Sequence, residues 1–171
     1  DKFPDIIENF RPDFVICTVA LPSNRLCEES PASALTSNLL IPLEIARAAK
    51  ARSTKSIFFS SHGVFKPRQQ KRVTTIEEAP DSDTFYGLMK QELEKSLCDL
   101  SSNLFSIIRL PSLYGTRPRP GNKGVCERIL DDLIQNKDVT VREDLFDSYS
   151  NVDDIAKFLV ANIEKISTER V

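Results

Sequence analysis

The chain is poor in glycine, with five in 171 residues, and the spacing G-x-G-x-x-G does not occur. A turn of that kind lays backbone amides against a pyrophosphate at a helix N-terminus, and this sequence cannot supply one. With a single histidine, His62, a zinc site is not expected, nor is any other metal. Four cysteines, Cys17, Cys27, Cys98 and Cys126, form neither a C-x-x-C pair nor a metal spacing, so reduced thiols in a cytoplasmic setting are expected. No apolar run approaches a membrane span, and no signal-peptide pattern is visible. With a net charge of -2 and both signs spread throughout, neither nucleic acid nor an anionic membrane is an expected partner. Methionine is nearly absent too. The chain opens at Asp1 and its one methionine is Met89, which leads to the expectation that an upstream segment was removed or left out.

What is present has the make-up of one soluble globular domain, 40% hydrophobic and 28% charged. Apolar residues at Phe3, Ile6, Ile7 and Phe10 predict a short helix, broken by Arg11-Pro12-Asp13. The run from Phe14 to Ala20 is almost continuously apolar, as in a strand buried on both faces of a parallel sheet. A polar loop is expected from Leu21 to Glu29. Ser30-Pro31 then opens a helix that carries Leu35, Leu39, Leu43, Ala46 and Ala49 inward and is kinked by Pro42. A second strand spans Ser56 to Ser60, and a long connection covers residues 62–83. Asp83 or Thr84 caps the next helix, whose core stripe is Met89, Leu93, Leu97 and Leu100. Phe105 to Leu110 is the third strand. A helix from Val125 to Asn136, a short strand at Val139-Thr140-Val141, and a last helix from Ile155 to Ile166 capped by Asp153 or Asp154 complete the prediction.

The chemistry concentrates between Ser60 and Lys90. Ser60 and Ser61 end the second strand, so they come to the carboxyl edge of a parallel sheet, where open α/β proteins place their ligands. Tyr86 and Lys90, four apart on a helix, share one face. A free phenol is a poor base at neutral pH. An ammonium about 4 Å away, at an effective dielectric of about 20, favours the phenolate by roughly 4 kcal/mol. Y-x-x-x-K recurs by chance on exposed helices; the strand-end hydroxyls give it meaning.

This constellation of Ser61, Tyr86-x-x-x-Lys90 resembles the extended short-chain dehydrogenase/reductases of the epimerase/dehydratase type. Pro12-Asp13-Phe14-Val15-Ile16 resembles that family's P-D-x-V-I strand, and Ile107 to Gly115 its I-x-R-x-x-x-x-Y-G segment. Ser150 to Ala156 is similar to the family's x-x-V-x-D-x-A segment. The resemblance implies an α/β fold: a three-layer αβα Rossmann-like parallel sheet, of which this chain is the C-terminal half, with a small substrate-binding lobe. Residues 1–115 would belong to the nucleotide-binding domain and residues 116–171 to the lobe and a closing helix. It also implies NAD or NADP as cofactor, held near Ala20, Ser60, Tyr86, Lys90, Pro111 and Leu113. Ser61 would bond the substrate oxygen with His62 beside it, and Asn38 would support a water relay to the lysine. Asn38 on the solvated side of its helix is the plainer alternative. Glu77 and Glu78 match an acidic segment before the tyrosine, or are a solvated charge cluster. Arg117 and Arg119 either meet the substrate pyrophosphate or form a solvated linker.

His62-Gly63 stands where sugar-nucleotide dehydratases carry an Asp-Glu pair, which disfavours dehydration. The segment from Arg25 to Asn38 is similar to that of the dTDP-4-dehydrorhamnose reductases, although Arg25 replaces an expected Asp. The resemblance therefore implies a 4-keto-sugar reductase acting on a nucleotide sugar, with Tyr86 as acid/base; it also allows a homodimer. A nucleotide-sugar 4-epimerase with bound NAD is the alternative. From another class, a non-catalytic reductase-like regulatory or binding subunit would keep the fold, but it would not require Ser61, Tyr86 and Lys90 together. Nucleophilic hydrolysis through Ser61 is disfavoured because adjacent strand residues such as His62 point to opposite faces. A long strand at Phe14 to Ala20, expected in the middle of a larger sheet, would leave an unpaired edge in residues 1–171 alone and favour aggregation.

Overall fold

The computed structural model describes residues 2–67, 74–100, 103–115, 124–141, 143 and 146–166. Two compact units share the chain. The first comprises residues 1–66, 77–110 and 163–171, and the second residues 67–76 and 111–162.

In the first unit, α1 (Lys2–Phe10) leads into β1 (Phe14–Cys17). Then come α2 (Asn24–Glu29), α3 (Pro31–Leu35), a π-helical turn (Thr36–Leu40) and α4 (Ile41–Ala51). β2 (Lys55–Ser61), a 3-10 turn (His62–Val64), α5 (Phe85–Leu100) and β3 (Phe105–Leu110) complete it. The strands pair in parallel in the order β1-β2-β3. Helical connections are what parallel neighbours require. Val15 lies opposite Ser56, Cys17 opposite Phe58 and Ser60 opposite Arg109, so side-chain parity puts these on one face of the sheet. Val15, Cys17 and Phe58 pack there with Leu43, Ala46 and Ala49 of α4 and Leu93 and Leu97 of α5. On the other face, Ser106 Oγ donates to the carbonyl of Ile166.

In the second unit, β4 (Ser112–Tyr114) and β5 (Tyr149–Asn151) form a two-stranded parallel sheet, with α6 (Val125–Ile134) against β4. There α7 (Val152–Ile166) begins, and its residues from Ile163 onward count with the first unit.

Several expectations change in this frame. The first strand stops at Cys17, leaving Thr18, Val19 and Ala20 exposed. Among the described residues β1 is an edge strand paired only with β2. The expected loop from Leu21 to Glu29 contains α2, because Ser23 Oγ accepts from the Leu26 amide and caps a helix there. Pro42 would press its ring on the Asn38 carbonyl in a regular α-helix. The chain instead opens into the π turn, in which the Ile41 amide reaches back to the Thr36 carbonyl. Val139-Thr140-Val141 is not a strand: among the described residues it pairs with none, and Val141 is 67% exposed. Asn151, rather than Asp153 or Asp154, caps α7, its Oδ1 accepting from the Asp153 amide at 2.8 Å. Among the described residues no helix is long and apolar enough to cross a membrane, and no cluster of metal-ligating side chains occurs.

Candidate active site

β2 ends in Ser60 and Ser61, and the chain turns at once into the 3-10 turn, with Ser61 Oγ accepting from the Gly63 amide at 3.0 Å. That turn is held against α5. Val64 O accepts from Gln91 Nε2 at 2.9 Å and from the Asp81 and Ser82 amides. At the start of α5, Thr84 Oγ1 accepts from the Gly87 amide at 3.1 Å, and Glu28 Oε1 from α2 accepts from the Phe85 amide at 3.3 Å. A carboxylate there suits the positive end of the helix dipole. Thr84 is therefore the cap, as one of the two sequence expectations has it. Gly87 lets the turn approach, since a Cβ on it would lie 2.3 Å from the Gly63 carbonyl oxygen and 2.1 Å from Ser82 Oγ.

This arrangement brings Ser61, Tyr86 and Lys90 together. Ser61 Oγ and the edge of the Tyr86 ring each lie 3.3 Å from where a Cβ on Gly63 would stand, so the two side chains are neighbours. Lys90 Nζ lies 5.9 Å from the centroid of the Tyr86 ring and donates to the Phe59 carbonyl at 2.9 Å. Burial pushes the Tyr86 phenol above its ordinary value, the nearby Ser61 hydroxyl pulls it back, and Cys27 raises it further. The lowering of the phenol by Lys90, expected from an approach of about 4 Å, is not a feature of this state. Burial instead lowers the Lys90 ammonium, against the opposing influence of Cys17, Glu94 and Cys27.

Lys90 is only 3% exposed, which has a consequence for stability. Its folded value lies below the unfolded one, so its contribution is complete only above the unfolded value and is lost as pH falls through the folded value. Below the unfolded value the folded chain therefore bears a cost, either of burying the charge or of giving up the proton. Lys90→Met is therefore expected to raise the melting midpoint by a few degrees at pH 7 while abolishing any lysine-dependent chemistry. A lower midpoint would show that the bond to Phe59 outweighs the charge.

Asn38 is fully buried, not on a solvated face. Its Oδ1 accepts from the Leu21 amide at 2.9 Å, and its Nδ2 donates to the Leu21 carbonyl at 3.2 Å and to Cys27 Sγ at 3.5 Å. Cys27 Sγ donates in turn to the Leu21 carbonyl at 3.3 Å. The amide thus fixes the segment that follows β1, beside exposed Ala20. Ser60 Oγ is buried and has no hydrogen-bond partner among the described residues. His62 is exposed at the head of the 3-10 turn. Pro111 and Leu113 belong to the second unit, Leu113 within β4. Arg117 and Arg119 lie outside the described residues. Glu77 and Glu78 lie in a turn in the connection ahead of α5. Sequence reasoning passed over the roles of Gly87, Glu94 and Cys27. Glu94 had a usable signal, since it continues the Tyr86, Lys90 spacing by one more turn.

No curated protein matches the sequence. Among solved structures, a dTDP-4-dehydrorhamnose reductase from Yersinia enterocolitica is 25% identical, with a TM-score of 0.81 over 98% of this chain and 58% of its own. The dTDP-4-dehydrorhamnose reductase ortholog from Clostridium acetobutylicum is 22% identical, with a TM-score of 0.84 over 98% of this chain and 57% of its own. A UDP-glucose 4-epimerase from Thermus thermophilus, in complex with NAD, shares the fold at 20% identity and a TM-score of 0.79, over 94% and 56% respectively. This chain thus spans little more than half the length of these proteins, and its α/β architecture is their Rossmann-like one. The family described as the RmlD substrate binding domain matches residues 1–171. From strand-end serines to closing helix, the chain belongs to the RmlD substrate binding domain family.

Proposed function

We propose that the full-length protein is an NAD(P)-dependent oxidoreductase that reduces a keto group on a nucleotide-activated sugar, with Tyr86 as the proton donor. The observation that carries this reading is the meeting of Ser61 and Tyr86 at the carboxyl edge of the sheet, with the buried Lys90 Nζ 5.9 Å from the centroid of the Tyr86 ring. Ser61 holds the carbonyl oxygen. The Tyr86 O–H bond breaks as the sugar oxygen takes the proton, which leaves a phenolate, and solvent later returns the proton. A phenol held above its ordinary value is protonated at neutral pH, so it begins the cycle as an acid, as reduction requires.

When bound, the nicotinamide cofactor supplies the hydride that reduces the carbonyl carbon. The residues present suit such a group. Ser60 Oγ is an orphaned buried hydroxyl, and Lys90 Nζ has one hydrogen bond among the described residues, which leaves N–H donors for ribose hydroxyls. Ala20 would lie along the cofactor, and His62 along the substrate. Epimerase structures share the fold, so a 4-epimerase with resident NAD is the competing chemistry.

The test is to incubate the full-length protein with NADH or NADPH and a dTDP- or UDP-4-keto sugar. Consumption of reduced cofactor mole for mole with a new sugar hydroxyl is the expected result. Interconversion of 4-epimers without net cofactor consumption would replace reduction by epimerisation. Cofactor or nucleotide-sugar binding without turnover would assign the chain to a non-catalytic subunit.

A further inference from the structure

One turn beyond Lys90 on α5 lies Glu94, a residue 8% exposed and yet ionically paired. Arg109 of β3 reaches it with both arms of its fork, Nε to Oε1 at 3.0 Å and Nη2 to Oε2 at 2.7 Å. The guanidinium also lies 5.2 Å from the centroid of the Phe65 ring. Phe65 closes the 3-10 turn that follows Ser61, its amide donating to the His62 carbonyl at 3.0 Å. One guanidinium thus touches the helix that carries Tyr86 and Lys90, and the turn that carries Ser61.

We infer that Arg109 and Glu94 are positioning residues, a paired fork that holds α5 and the Ser61 turn in register and sets the charge environment of Lys90. The electrostatic part rests on the groups that face Lys90 among the described residues. From α5 there are Glu94 and the Tyr86 ring, from β1 the Cys17 thiol, from α2 the Cys27 thiol, and from β2 the Phe59 carbonyl. Glu94 is the one carboxylate among them, and Arg109 is its counter-ion. A bidentate pair fixes the direction of the carboxylate, which a lysine in place of Arg109 would not do.

The inference rests on the proposed reaction only where turnover is measured. The experiment therefore follows Lys90 directly, by NMR titration of full-length protein labelled at lysine 13Cε, with the Lys90 signal assigned through its loss in Lys90→Met. Glu94→Gln leaves Arg109 facing Lys90 uncompensated, so the Lys90 midpoint is expected to move down. Arg109→Gln leaves the carboxylate unpaired, so the midpoint is expected to move up. The double variant returns it towards the starting value. Simple loosening of the fold would hydrate Lys90 and move both single variants up. Should Glu94→Gln not fold, the exchange Glu94→Arg with Arg109→Glu keeps the pair and puts the cation on α5, and the same downward shift is expected. Shifts of one sign in both single variants, or none, would overturn the inference. An absence of turnover on nucleotide sugars would overturn the proposed reaction and leave the titration standing.

Discussion

Tyr86→Phe is expected to lower turnover about 10²–10⁴-fold, the range for loss of a general acid or base. The substitution removes one hydroxyl and leaves the ring, so the contact with Lys90 and the packing against Met89 and Cys27 persist. Ser61 keeps its bond from the Gly63 amide, so the turn is not released. KM for the sugar is therefore expected to change little, and the loss should fall on kcat. The measurement is steady-state kinetics of the full-length variant with its reduced cofactor in excess. Turnover within a factor of about two of the unsubstituted protein would remove Tyr86 from the chemistry.

Gly87→Ala is expected to damage both stability and turnover. The added methyl would stand 2.3 Å from the Gly63 carbonyl oxygen and 2.1 Å from Ser82 Oγ, and neither can retreat freely. Ser82 is buried and bonded to Thr84 Oγ1 at 3.1 Å, while Gly63 belongs to the turn that follows Ser61. Relief must come from separating α5 and the turn, which opens the Ser61 to Tyr86 contact. Overpacking of this kind costs about 1–3 kcal/mol. Because the displaced atoms are the reacting ones, turnover should fall further than stability implies, by about 10²-fold for a displacement near 1 Å. Thermal melting and kinetics on the same variant check this. Unchanged values of both would show that the turn and helix are not in the contact described.

How much of this was readable beforehand depended on whether a feature is local. The strands at Phe14, Ile57 and Phe105 announce themselves as apolar runs, and Tyr86 and Lys90 as a helical spacing next to strand-end serines. Helix α5 was legible for the same reason, with Met89, Leu93 and Leu97 buried as its period demands. By contrast, β4 and β5 are three residues each and mostly polar, and they become strands only because Ser112 to Tyr114 meets Tyr149 to Asn151. Val139 to Val141 has better strand composition but no strand partner among the described residues. The site shows the same divide. Ser61 was legible from its place on a strand, but the burial of Asn38 and the Arg109 to Glu94 fork depend on which elements meet in space.

The π turn at Thr36–Leu40 also bears on which changes of chain length the protein tolerates. A π turn is, in effect, an α-helix with one residue inserted, and removing that residue would restore regular hydrogen bonding while rotating the upstream helix by about 100°. Leu43, Ala46 and Ala49 would still face the sheet. Ala34, which packs with Cys27 and Met89, would turn away, and the amide of Asn38 would lose its line to Leu21. A single-residue deletion here would thus produce a better helix attached to a worse site. Among homologues, the spacing between the residue equivalent to Asn38 and the core face of α4 is expected to be fixed in number even where the side chains between them vary.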